Sequence, residues 1–128
     1  NALNNLGNVA RAQGDHSEAR ALYSESLTIY RALGDKWALA YLLEDVGWLL
    51  AQQGQGEPAL QLAGAASVLR EEIGAPLNPK EKASLDDALA PALASIDSER
   101  QVSATVAGQT MSLTQAIEYA LRIGCAET

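Results

Sequence analysis

Tyr41, Glu44, Trp48 and Gln52 follow one another at steps of three, four and four residues. On a helix that spacing gathers a phenol, a carboxylate, an indole and an amide on one face. Such a set can hold a polar ligand by hydrogen bonds, ring contact and charge, but it contains no nucleophile paired with a base. Reactive groups elsewhere are sparse. His16 is the single histidine, and one imidazole makes neither a metal site nor a triad. Cys125 is the single cysteine; it has no base beside it in sequence, so a free thiol is expected. Carboxylates adjoin at Glu44-Asp45, Glu71-Glu72 and Asp86-Asp87. Neighbours on a helix point about 100° apart, so these pairs read as solvated faces, not acid/base dyads. Gly54-Gln55-Gly56 has no Lys-Ser after it and no strand before it, so it is a turn and not a phosphate cradle. No enzyme, cofactor or metal is expected.

Composition narrows the partners. Sixteen acidic residues against 9 basic ones give a net charge of -7 over 128 residues. The excess is spread along the chain, and nucleic acid needs clustered Lys and Arg. No apolar run reaches the 18 or so residues of a membrane span, and one cysteine excludes an internal disulfide. The only methionine is Met111 and the sequence opens at Asn1, so it reads as an excised fragment.

What must position the candidate face is a repeat. A shift of 40 aligns Gly7 with Gly47, Gln13 with Gln53, Gly14 with Gly54, Ala19 with Ala59, Leu22 with Leu62 and Gly34 with Gly74. Leu6 with Val46, Val9 with Leu49, Ile29 with Leu69 and Leu33 with Ile73 keep the apolar pattern. Small residues recur where two helices must touch, and glycines recur where the chain must turn. Each unit reads as a helical hairpin. In the first, a helix over 2–13 carries Leu3, Leu6, Val9 and Ala10 on one stripe, and Gly14 closes it. Asp15 caps the next helix with Glu18 in capping-box position; it runs to about Leu33 with Ala19, Leu22, Tyr23, Ser26, Leu27, Ile29, Tyr30 and Leu33 inward. In the second, helices are expected over 36–53 and 57–73, with Pro58 in the first turn of the latter. One hairpin cannot bury its own apolar face, so the units must stack.

After Pro76 breaks the helix, Asn78 and Pro79 open another, with Leu85, Ala88, Leu89, Ala92, Leu93 and Ile96 on a stripe to about Asp97 and a kink or break at Pro91. A short helix is expected over 98–107. Ser112 with Gln115 forms a capping box that opens a last helix to Ile123. The expected fold is all-α: two hairpins over 1–75 (1–35 and 36–75) and a C-terminal helical capping segment over 76–128.

The stretch NNLGNVARAQGDHSEARALYSESLTIY, with Leu6-Gly7, Gly14, Ala19, Tyr23 and Leu27, resembles a tetratricopeptide repeat. The second unit resembles it with Val46-Gly47, Gly54 and Ala59, but Ala63 stands where the bulky aromatic belongs, which implies a neighbour filling the space or a looser contact. The usual repeat is about 34 residues, against 40 here. VLREEIGAPLNPKEKASLDDALA and GQTMSLTQAIEYAL resemble the C-terminal end of the repeat region in large LuxR-type or MalT-like bacterial transcriptional regulators. That resemblance implies a cytoplasmic sensor or scaffold whose ATPase and DNA-binding parts lie outside this fragment.

By the first resemblance, the opening helix of each hairpin lines a concave groove, which would bring Asn4, Asn8 and Arg11 beside Tyr41, Glu44, Trp48 and Gln52. Trp48 serves equally as an indole packed between units. Some repeats of the family clamp a terminal carboxylate with Lys, Asn and Arg. Here Asn8 and Arg11 are offered, but Glu44 and Asp45 stand opposite. The expected function is a non-catalytic binding or scaffold module for a protein or peptide, or alternatively for a small metabolite. The isolated fragment is expected to self-associate through its N-terminal apolar stripe.

Overall fold

Glycine sets the rhythm of the chain. Gly14, Gly34, Gly54 and Gly74 recur every 20 residues, and each lies in the left-handed region, with φ of 78°, 69°, 79° and 67°. That conformation costs a residue with a Cβ about 1 kcal/mol or more, so each glycine ends one helix and releases the chain into the next.

The computed structural model describes residues 2–124, with side chains over 5–123. Helices are the only regular structure among them: α1 (Ala2–Ala12), α2 (His16–Leu33), α3 (Lys36–Gln52), α4 (Gly56–Ile73), α5 (Pro79–Leu93), α6 (Ser98–Gln109) and α7 (Leu113–Tyr119), which runs into a π-helical turn at Ala120–Gly124. Five of them are started by a side chain that accepts the N–H three residues on: Asp15, Asp35, Asn78, Asp97 and Ser112. At Asn78 and Ser112 the reciprocal bond from Glu81 or Gln115 completes a capping box. Such caps stabilise a helix by about 1 kcal/mol each.

α1 with α2, and α3 with α4, form antiparallel hairpins that pack side by side. At their crossings small residues let backbones approach. A Cβ on Gly47 would stand 3.2 Å from the Ala59 carbonyl oxygen, and one on Gly7 would meet the Tyr23 ring. α3 is central and buried on both sides, with Leu39, Leu42, Leu43, Val46, Leu49 and Leu50 all in the core. These six side chains form one broad apolar face, while Tyr41, Glu44 and Trp48 lie on the opposite face of the same helix. The flank of the first hairpin has no such cover. Leu6 and Val9 are 54% and 52% exposed, whereas Val46 and Leu49, their counterparts forty residues on, are 0% exposed. Ile29 and Leu33, expected inward, are exposed as well, because α3 covers only the opposite side of α2.

The later helices depart from the regular plan. α5 stops at Leu93 instead of continuing to Asp97, so Pro91 falls in its last turn and the helix breaks two residues beyond it. The chain then turns through the bond from Ile96 N–H to Leu93 O, freeing Asp97 to cap α6. α5 lies against α3 and α4, but α6 packs along α4 and hardly touches α5. Two glycines draw it there. A Cβ on Gly64 would stand 2.5 Å from the Thr105 carbonyl oxygen, and one on Gly108 would overlap the Gln61 carbonyl. α7 packs on α4 and the π-helical turn reaches back to α2 and α3, burying Ala116, Ile117 and Ala120.

Candidate functional site

The opening helices α1, α3 and α5 lie side by side in one row. Between α3 and α5 this row carries a groove of about 240 Å³, bordered by Tyr41, Asp45, Trp48, Lys80, Ser84 and Leu85.

Trp48 joins the two units. The Arg11 guanidinium lies over its indole at 3.7 Å from the ring centroid, while the indole also borders the groove. Arg11 is only 8% exposed, and its Nη1 has no hydrogen-bond partner among the described residues. A desolvated cation over an indole gains about 2 kcal/mol from the ring's quadrupole, so Trp48 is held in a fixed pose. Asn8 is committed within its own hairpin, where its Oδ1 accepts the Tyr23 hydroxyl. The counterparts of Asn8 and Tyr23 forty residues on are Trp48 and Ala63. The bulky residue has thus moved from the second helix of the hairpin to the first.

Glu44 is not the solvated carboxylate read from the sequence. It is 7% exposed and takes two parallel bonds from Arg70, Nε to Oε2 at 2.6 Å and Nη2 to Oε1 at 2.8 Å. The remaining terminal nitrogen, Nη1, donates to the Ala75 carbonyl at 2.9 Å. Glu44 holds Arg70 protonated, raising its pKa above the ordinary value against the opposing effect of burial. Glu44 is therefore spent on the α4–α5 connection. Sequence spacing placed it on the same face as Tyr41 but could not show that an arginine 26 residues away would claim it.

Tyr41 continues the network. Arg70 lies over its ring at 4.4 Å, Trp37 meets it edge-on at 4.8 Å, and its hydroxyl donates to Glu81 Oε2 at 2.9 Å. The bond to Glu81 and then burial raise the Tyr41 pKa. Glu81 is lowered by the Asn78 N–H first and the Tyr41 hydroxyl second. Of the residues expected on the face, Tyr41 and Trp48 border the groove, as does a part of Glu44; Arg11 supports Trp48 from behind. Gln52 is exposed at the end of α3 and does not border it. The side chain of Asn4, like those of Leu3 and Cys125, lies outside the described residues. Lys80, Ser84 and Leu85 were not foreseen. Asn78 and Pro79 were legible as the start of α5, which sets which of its residues turn toward α3.

A second, larger cleft of about 560 Å³ lies between α4, α5 and α6 and shares Glu44, Leu77 and Leu85 with the groove as a common wall. No helix among the described residues is long and apolar enough to cross a membrane.

No match was found among curated proteins or among solved structures. The family model described as tetratricopeptide repeat matches residues 1–72, which takes in nearly all of both hairpins, the left-handed Gly14, Gly34 and Gly54, and the small-residue crossings. Repeats of this kind generally mediate protein–protein interaction and scaffolding, and they are typically non-catalytic. With a match over more than half its length, the chain belongs to the tetratricopeptide repeat family.

Proposed function

We propose that the chain is a binding module that receives an extended polypeptide along the row of α1, α3 and α5, with Trp48 as its anchor. The observation that carries this reading is the indole clamped by Arg11 at 3.7 Å and open to the groove on its other side. An aromatic held rigid before the partner arrives loses little entropy on binding, and such residues dominate interface energetics. Tyr41, Lys80 and Ser84 add one ring edge, one cation and one hydroxyl, which suit a polar peptide. Residues 1–75 supply the two hairpins in this scheme, and 76–128 cap them while lending α5 as one wall of the groove.

The setting we propose is the C-terminal sensor or interaction region of a cytoplasmic bacterial transcriptional regulator of the LuxR or MalT-like kind. Its support is the wording from Arg70 to Pro79 and from Met111 to Leu121. Deleting the corresponding segment from the chromosomal gene and measuring transcripts tests it; an unchanged transcript profile would reject it. A second reading, sensing of a small metabolite, is favoured by the larger cleft behind α5.

The groove is tested by probing a peptide array with the chain and titrating the best binder calorimetrically into the parent, Trp48→Ala and Lys80→Glu. Truncating a central aromatic anchor costs about 2 kcal/mol or more of binding, roughly thirtyfold in affinity. Folded variants that bind as tightly as the parent would place the peptide elsewhere.

A further inference from the structure

We propose that the cleft between α4, α5 and α6 is a site for a neutral, mainly apolar small molecule with a hydrogen-bonding group at one end. This rests on the small-molecule reading above and gives it a location apart from the peptide groove.

The cleft exists because the third helical pair is open. In the first two hairpins the partner helices run along each other, whereas α6 is drawn onto α4 at Gly64 and Gly108 and diverges from α5. Collapse is prevented from both sides. α5 is tied to α3 through the Tyr41–Glu81 bond, and α6 is tied to α4 by the glycine crossing and by the Arg100–Glu57 ion pair. A space of about 560 Å³ is left, within the range of pockets that enclose small molecules. Its floor is α4, with Leu60, Ala63 and Ser67, and its facing wall is Leu85 and Leu89 of α5. Ala63 stands where Tyr23 fills the first hairpin, so the floor lacks an aromatic side chain that the repeat supplies elsewhere.

Charge selects the ligand class. The Arg70 and Glu44 charges neutralise each other in the interior, and Lys82 pairs with Asp86 at 2.7 Å. Glu71 adds a further acid to the lining. A ligand anion would find no cation that is not already paired with a carboxylate, and placing it beside Glu71 would be repulsive. The neutral polar groups sit along one side. Ser67 and the Gln109 amide line the cleft, and Thr105 gives its hydroxyl proton to Gln101 O at 2.9 Å, leaving its oxygen as an acceptor. Apolar surface opposite a few neutral hydrogen-bonding groups is the usual make-up of a small-molecule pocket.

The test is fluorescence titration of the whole chain with N-phenylnaphthylamine, a neutral apolar probe, beside its anionic relative anilinonaphthalenesulfonate. The expected result is saturable binding of the neutral probe to one site, with the sulfonate weaker by about tenfold or more. Ala63→Phe and Ser67→Phe, which fill the floor, should each abolish it, while Trp48→Ala and Leu6→Glu should leave it intact. Ser67 is exposed, so its variant keeps the test readable if Ala63→Phe does not fold. Absence of saturable binding, equal binding of the sulfonate, or binding that survives in a folded Phe variant would overturn the site. Loss in Trp48→Ala instead would overturn it too, but would keep a small-molecule role for the peptide groove.

Discussion

Arg70 and Glu44 meet through two parallel hydrogen bonds of 2.6 and 2.8 Å in the interior, and the same guanidinium holds the Ala75 carbonyl where α4 gives way to α5. Removing one partner of a buried pair strands the other charge, which costs about 3–5 kcal/mol. Glu44→Leu and Arg70→Met should each destabilise the chain by that amount in urea denaturation. The double variant Glu44→Leu/Arg70→Met should recover part of the loss, because neither charge then remains buried. Additive losses would show that the two side chains are not coupled.

Stability should fall in acid through Glu81. Its pKa lies below the ordinary 4.5 in the folded chain because the Asn78 N–H and the Tyr41 hydroxyl favour the carboxylate. A group lowered on folding stabilises above its unfolded value and loses that contribution as pH falls through the folded one. Thermal melts from pH 6 down to pH 3, a window bracketing the usual carboxylate range, should show a steeper decline for the parent than for Glu81→Gln. Parallel profiles would mean that the Glu81 bonds to Asn78 and Tyr41 do not persist in solution.

Gly108→Ala should be among the most damaging single changes. The new methyl would overlap the Gln61 carbonyl, and backbone cannot move aside as a side-chain tip can. Overpacking costs typically 1–3 kcal/mol and at times more; about 3 kcal/mol is expected in chemical denaturation. Gly54→Ala, with nothing within 4 Å of its Cβ, should lose only about 1 kcal/mol from its positive φ. A neutral Gly108→Ala would place α6 away from α4.

The uncovered flank of the first hairpin should drive self-association. Leu6, Val9, Ile29 and Leu33 are exposed at positions whose counterparts in the second hairpin are largely covered, and contiguous apolar surface of this kind promotes pairing of like faces. Sedimentation velocity should show a dimer that dissociates in Leu6→Glu/Leu33→Glu. A monomer at high concentration in the parent would count against it.

Helix starts and ends were legible in residue order because capping is a local matter. Asp15, Asn78 and Ser112 bond to groups three residues away, and a left-handed glycine needs no distant partner. The period of 40 was legible for a related reason: each hairpin repeats the same short-range packing, so the same residue types recur. Tertiary structure alone decided the rest. α6 carries a weak apolar pattern, and its place on α4 depends on backbones meeting at Gly64 and Gly108, where the absence of a side chain leaves no periodic signal. Glu44 shows the same limit. Its helical face followed from spacing, but whether it met water, a ligand or Arg70 depended on how the α4–α5 connection folded back over α3, and a charge goes to whichever partner offsets its loss of water.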